Sequence, residues 1–183
     1  MWIHLTGSYQ IENAATALEF IHSCKIDRIS EEAARRGLEK AKWTGRFSCI
    51  SESPIFIIDG AHNEAAALKL RESLEKYFPD KKMNFICGVF KDKEYEKIAQ
   101  IMAPLAKKIY TVNLPNKERT LDAEVLSEVM LKYCSENCKT EAVRDISKAV
   151  EKVLRETEKD EVILAFGSLS YLSMIIDCVK KYI

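Results

Sequence analysis

From Phe47 onward, short runs of β-branched and aromatic residues alternate with stretches whose apolar residues fall at helical spacing, and few architectures accommodate that alternation. The link Glu52-Ser53-Pro54 joins a run over Phe47–Ser51 to one over Ile55–Asp59 and is so short that the two must pair antiparallel. Later runs, Met83–Val89, Ile109–Val112, Lys139–Ala142 and Val162–Phe166, are each reached through a helical pattern. The spacing predicts helices over Glu64–Phe78, Tyr95–Ala106, Leu121–Cys134, Ile146–Glu156 and Ser168–Tyr182. A crossover helix brings the next strand in parallel to the last. The expectation is therefore an α/β fold: a six-stranded, mostly parallel sheet with one antiparallel edge strand and helices on both faces.

Residues 1–42 read differently. A scrap of strand (Trp2, Ile3, Leu5) precedes the turn Thr6-Gly7-Ser8, then a helix over Gln10–Ser23, then a second helix capped by Ser30, with Glu31 and Glu32 in its first turn, running to about Ala41. Two helices and a scrap of strand cannot enclose a core. This segment reads as the tail of something larger or as a brace on the next domain, with Trp43-Thr44-Gly45-Arg46 as the linker.

Acidic and basic residues number 28 each and are mixed along the chain, which argues against a duplex nucleic-acid partner. Small molecules or proteins are the expected partners. The longest apolar run, Val162–Phe166, is far too short to cross a membrane, and no leader pattern opens the sequence. The six cysteines (Cys24, Cys49, Cys87, Cys134, Cys138, Cys178) are scattered in apolar segments, as expected of core-filling thiols in a reducing cytoplasm. Cys134 and Cys138 have no second Cys or His pair nearby to complete a zinc site, so no metal is expected on this chain.

In open parallel sheets ligands bind beyond the carboxyl ends of the strands. Four polar turns are expected there: Asp59 to Asn63, Gly88 to Lys93, Asn113 to Arg119, and Gly167-Ser168. Asp59 and His62 are the first candidates for chemistry, although an Asp-Gly turn with an Asn cap also serves local structure. Gly167-Ser168 opens a helix whose backbone N–H groups suit a carboxylate or phosphate, or is simply a Ser cap after a Gly turn. Lys91-Asp92-Lys93 can hold an anionic substrate or form a solvated loop. Gln10 and Asn13, three apart and on one helical face, can read a purine edge or be surface amides. Arg46 can fork onto a phosphate or onto a carboxylate at an interface. His62 can donate to phosphate oxygens, whereas His4 and His22 lack such a setting. Neither a G-x-x-x-x-G-K-[ST] nor a G-x-G-x-x-G phosphate motif occurs in this sequence.

Taken in order, Leu5-Thr6-Gly7-Ser8-Tyr9-Gln10-Ile11-Glu12-Asn13-Ala14-Ala15-Thr16-Ala17, Trp43-Thr44-Gly45-Arg46, Asp59-Gly60-Ala61-His62-Asn63, Asp92-Lys93 and Gly167-Ser168-Leu169 resemble the carboxyl-terminal part of the folylpolyglutamate synthase/dihydrofolate synthase family of Mur-type ATP-dependent ligases. The resemblance spans essentially the whole chain. It implies a Rossmann-like domain over 47–183, a linker over 43–46, and a helical remnant of an ATPase domain over 1–42. It also implies the reaction: ATP phosphorylates a folate or dihydropteroate carboxylate, and the amine of L-glutamate attacks the acyl phosphate.

On this resemblance Asn13 would face the adenine of ATP, Arg46 the phosphates, and Asp59 and His62 the ribose and phosphates as the catalytic pair. Lys93 and Ser168 would handle the incoming amino acid. The phosphate loop and most Mg²⁺ ligands would lie in an amino-terminal ATPase domain outside this sequence, leaving this chain alone catalytically incomplete. The sequence departs from the family at Glu64 and Thr44, where Pro is usual, and at Ser170, where Tyr is usual; altered rigidity is expected rather than lost binding. Two alternatives stand beside this reading: a nucleotide- or substrate-binding module without turnover, and a Mur-type ligase with another acceptor.

Overall fold

The computed structural model describes residues 3–24 and 29–182. In chain order the elements are α1 (Gln10–Ser23), α2 (Glu31–Lys40), β1 (Ser48–Glu52), β2 (Ile55–Ile58), α3 (Glu64–Tyr77), β3 (Met83–Cys87), α4 (Tyr95–Met102), β4 (Ala106–Val112), α5 (Ala123–Tyr133), β5 (Lys139–Arg144), α6 (Ile146–Glu156), β6 (Val162–Phe166) and α7 (Leu172–Val179). The strands form one sheet in the order β1-β2-β6-β3-β4-β5. β1 pairs antiparallel with β2 at one edge, and every other pairing is parallel.

Side chains alternate between the faces of a strand, so the sheet divides its apolar residues between two cores. Ile57, Leu164, Phe85 and Ile109 face α3, α4 and α5, meeting Leu70, Leu74, Ile98, Met102 and Leu126. Phe56, Ile163, Ile86 and Tyr110 face α6 and α7, meeting Val150, Val153, Leu172 and Ile175. β3 and β6 are buried along their whole length, as central strands covered on both faces must be. β5, at the far edge, carries Glu141 between Lys108 and Lys152, charges that discourage further strand pairing.

Several element ends differ from the sequence expectation. The helix predicted over Tyr95–Ala106 stops at Met102 and tightens into a 3₁₀ turn over Ala103–Leu105, because Pro104 has no N–H to continue the ladder. β4 consequently starts at Ala106 rather than Ile109. The last helix starts at Leu172, after a 3₁₀ turn over Leu169–Tyr171 in which the buried Tyr171 hydroxyl donates to the Phe166 carbonyl at 2.6 Å. No strand forms at Ile3–Leu5, and Trp2 lies outside the described residues.

The cysteines are corrected more substantially. Cys87 and Cys178 do fill cores, but Cys24 and Cys49 are exposed, and Cys134 pairs with Cys138 across the short loop between α5 and β5, where their Cα atoms lie 5.6 Å apart. An i, i+4 pair at the end of a helix that turns back is close enough to meet, although that spacing holds no zinc site.

The amino-terminal helices are thinly packed. Only Gln10 and Ala14 of α1, and only Ala34 of α2, are buried. Polar pins fasten this segment to the sheet domain: Thr6 Oγ1 donates to the Phe47 carbonyl, and Ser8 N donates to Ser73 Oγ at 3.1 Å.

Candidate functional site

The carboxyl ends of the five parallel strands share one rim, as the sequence anticipates, and Asp59 stands at the end of β2. Its N–H donates to the Ala165 carbonyl at 3.0 Å, which continues the β2–β6 ladder by one residue and carries the side chain into the interior, 2 % exposed. Three donors converge on the carboxylate. Ala61 N donates to Oδ1 at 2.7 Å, while Phe47 N at 2.8 Å and the Tyr9 hydroxyl at 3.0 Å donate to Oδ2. One side chain thus holds its own turn, the linker and the amino-terminal segment together.

The linker and the turn also meet directly, through Gly60 N donating to the Gly45 carbonyl at 2.8 Å. Gly45 sits at φ +89°, a conformation that favours glycine, and a Cβ on Gly60 would fall 2.3 Å from Leu169 Cδ2. The turn then feeds α3 through Asn63, whose side chain accepts from Ala66 N at 2.9 Å. His62 Nδ1 lies 2.8 Å from the Gly60 carbonyl. A carbonyl only accepts, so Nδ1 carries the proton in this contact and Nε2 remains to meet a ligand.

A cavity of about 570 Å³ opens between this turn, the linker and α1. Gln10, Asn13, Trp43, Arg46 and Asp59 line it, together with the first turn of α3. Asn13 Nδ2 donates to Gln10 Oε1 at 3.0 Å, so the two amides act as one unit with an acceptor and a donor to spare. The positive charge of Arg46 is felt at both Asp59 and Tyr9.

Residues 45–169 match the family described as Mur ligase, glutamate ligase domain. The chain belongs to that family. Over 176 residues the chain is 31 % identical to the dihydrofolate synthase/folylpolyglutamate synthase of Bacillus subtilis, a match that covers 93 % of the chain and 39 % of the relative. Its structure is similar to that of E. coli FolC in complex with DHPP and ADP (TM-score 0.80, 25 % identity, 93 % of this chain and 39 % of that one). It is also similar to the ligand-free bifunctional folylpolyglutamate synthase/dihydrofolate synthase of Yersinia pestis (TM-score 0.82, 25 % identity, 96 % and 41 %). The chain spans about two fifths of the length of these relatives.

Not all the residues singled out by sequence reach the cavity. Asn13, Arg46 and Asp59 line it and His62 stands beside it, next to the lining residue Asn63. Lys93 follows β3, two strands along the rim from β2, and pairs with Asp92 at 3.6 Å. Asp92 in turn receives both arms of Arg119 at 3.0–3.3 Å, a fork that zips the loops after β3 and β4 together. Ser168 is buried, with its Oγ accepting from Ser170 N at 3.2 Å and lying 2.9 Å from Ser170 Oγ. The variant residue Ser170 therefore adds a partner for Ser168, and Glu64 pairs with Lys97 of α4 at 2.6 Å.

Among the cavity residues with no site role expected from the sequence are Tyr9 and Lys69. Lys69 follows Ala66 by three residues on the same face of α3, so helical spacing from the turn was a usable signal. Tyr9 falls within the Leu5–Ala17 motif, but its role is not local, because its partner Asp59 is distant in sequence. Among the described residues no group of three or more His, Cys, Asp or Glu side chains is placed to hold a metal ion. Nor is any described helix long and apolar enough to cross a membrane.

Burial pushes the Asp59 carboxyl above its usual 3.8, against the opposing pull of the Ala61, Phe47 and Tyr9 hydrogen bonds and the Arg46 charge. The folded chain thus binds this proton more tightly than the unfolded chain. The contribution of Asp59 to stability is fullest below pH 3.8 and is lost as pH rises through the raised value. In urea titrations across that window, Asp59→Asn should flatten this falling component. An unchanged pH profile in the variant would show that Asp59 ionises as it does in the unfolded chain.

Proposed function

We propose that this chain is the nucleotide-closing part of an ATP-dependent ligase that joins glutamate to a folate or dihydropteroate carboxylate through an acyl phosphate. The observation carrying the reading is the convergence of Asn13, Arg46 and the Asp59–Asn63 turn on one cavity in a chain of the glutamate ligase family. In this proposal the Gln10–Asn13 amide pair reads the adenine edge, Arg46 forks onto the phosphates, and His62, with Nδ1 donating to Gly60, donates from Nε2 to a phosphate oxygen as the imidazolium. Asp59, with its oxygens already holding three internal donors, positions these groups rather than touching the ligand. Lys93 and Ser168, farther along the rim, receive the incoming glutamate. The L-glutamate amine is kept from competing water when the domain closes, and the donors on the rim favour the charge that develops as the acyl phosphate breaks.

An ATPase domain carrying the phosphate loop and the Mg²⁺ ligands completes the site. Residues 1–42 belong to that domain in this reading, with residues 43–46 as linker and 47–183 as the closing domain. The observation that supports this division is the bareness of α1, where Ile11 is 65 % and Phe20 62 % exposed. The family chemistry uses cytoplasmic metabolites, and a cytoplasmic setting is proposed with it.

The test is ADP release by a fusion that places the amino-terminal part of the Bacillus subtilis relative ahead of this chain, supplied with Mg-ATP, glutamate and dihydropteroate or folate. Turnover dependent on both glutamate and acceptor is expected. Arg46→Ala should lower that turnover about 100-fold, the scale of removing one donor from developing charge. A folded fusion that binds ADP but never turns over would favour a binding module, and turnover indifferent to pterin acceptors would favour a Mur-type ligase with another acceptor.

A further inference from the structure

We propose that Tyr9 is a positioning residue: its hydroxyl, seated on Asp59, sets the pose of α1 and therefore of the Gln10–Asn13 amides that face the cavity. Asp59 joins the three segments that carry Asn13, Arg46 and His62. Its Oδ2 receives Phe47 N, the residue after Arg46, and its Oδ1 receives Ala61 N, the residue before His62. Tyr9 brings α1 to the same carboxylate at 3.0 Å. The hydroxyl is not spent on capping α1, since Tyr9 begins the helix without making a capping bond.

Apolar packing does little to orient α1, with only Gln10 and Ala14 buried, so its direction depends on such polar pins. The Ser8–Ser73 contacts hold the chain one residue earlier, and on α1 itself Glu12 makes an exposed ion pair with Lys69 at 3.7 Å, which orients the helix weakly. A second observation points the same way. The Tyr9 ring lies over Gly7, where an added Cβ would stand 2.7 Å from Cε1 and 2.8 Å from Cζ. Glycine at position 7 makes room for the ring to reach Asp59, and alanine would push it off. Burial first, and the Asp59 charge second, raise the phenol well above its usual range, which keeps it a donor at neutral pH.

The experiment compares the 183-residue chain with its Tyr9→Phe and Gly7→Ala variants, and with Ser30→Ala as a control. Ser30→Ala removes one hydrogen bond, from the cap of α2, in the same amino-terminal segment. Amide hydrogen exchange in α1 should quicken about tenfold in both Tyr9→Phe and Gly7→Ala, the scale of one hydrogen bond to a charged group, with β2 and β6 unchanged. In carbon-13 titrations Asp59 should move further up in Tyr9→Phe, having lost a donor that favours its charged form, and should not move in Ser30→Ala. ADP should bind Tyr9→Phe and Gly7→Ala about tenfold more weakly than Ser30→Ala, on the same scale. Unchanged α1 exchange in both variants, or quickening spread equally through β2 and β6, would overturn the proposal. If the unaltered chain does not bind ADP, the nucleotide reading on which the last measurement rests fails separately, and exchange and titration still decide the role of Tyr9.

Discussion

Replacing Asp59 with alanine should lower the unfolding free energy by about 3–5 kcal/mol, because it strips the acceptor from donors that water cannot reach. Phe47 and Ala61 are 4 % and 1 % exposed, so their N–H groups would be left buried and unpaired, and the Tyr9 hydroxyl would lose its anchor. Asp59→Asn keeps an acceptor oxygen and sheds the cost of burying a charge, so it should lose only about 1–2 kcal/mol. Urea unfolding of the two variants beside the parent separates these cases. Equal midpoints for alanine and parent would show that the junction holds nothing together. From sequence Asp59 is either a chemical residue or a local turn-former; the hydrogen bonds make it a junction between its own turn, the linker and the amino-terminal segment.

Gly167→Ala should cost about 4 kcal/mol, the sum of a forbidden backbone angle and a backbone clash. Gly167 sits at φ +114°, and a Cβ there would fall 2.3 Å from the Gly88 carbonyl oxygen, a group held in place by β3. No side chain can turn away to relieve such a contact. The loops after β6 and β3 would have to part, and with them the rim on which Ser168 and Lys93 lie. Gly37→Ala is the matched control: it lies inside α2, meets nothing within 4 Å, and should gain about 0.5–1 kcal/mol from helix propensity. A Gly167→Ala chain that melts with the parent would refute the account of this turn.

The antiparallel β1–β2 pair and the strand-helix alternation were legible because each is a local pattern. Val162–Phe166 announced itself as a buried strand by composition, yet nothing in its sequence says that it lies between β2 and β3. That position is what brings Gly167 against Gly88 and lets Asp59 N find the Ala165 carbonyl. Asn13, Arg46 and Asp59 were each suspected from motifs, but their meeting in one cavity rests on the fold of the linker, where Gly45 and Phe47 both take positive φ. The Cys134–Cys138 pairing and the Pro104 break were readable only in part, since each depends on how a helix end meets the next strand.

By itself the sequence determined the α/β class, the number and direction of the strands, and the turns at which polar side chains gather, because hydrophobic period and turn chemistry act over a few residues. The tertiary structure alone decided which of those side chains share a cavity and which are spent on one another. Tyr9 and Asp59 are 50 residues apart, and only packing the amino-terminal segment against the end of β2 brings a hydroxyl to a buried carboxylate that would otherwise lack it.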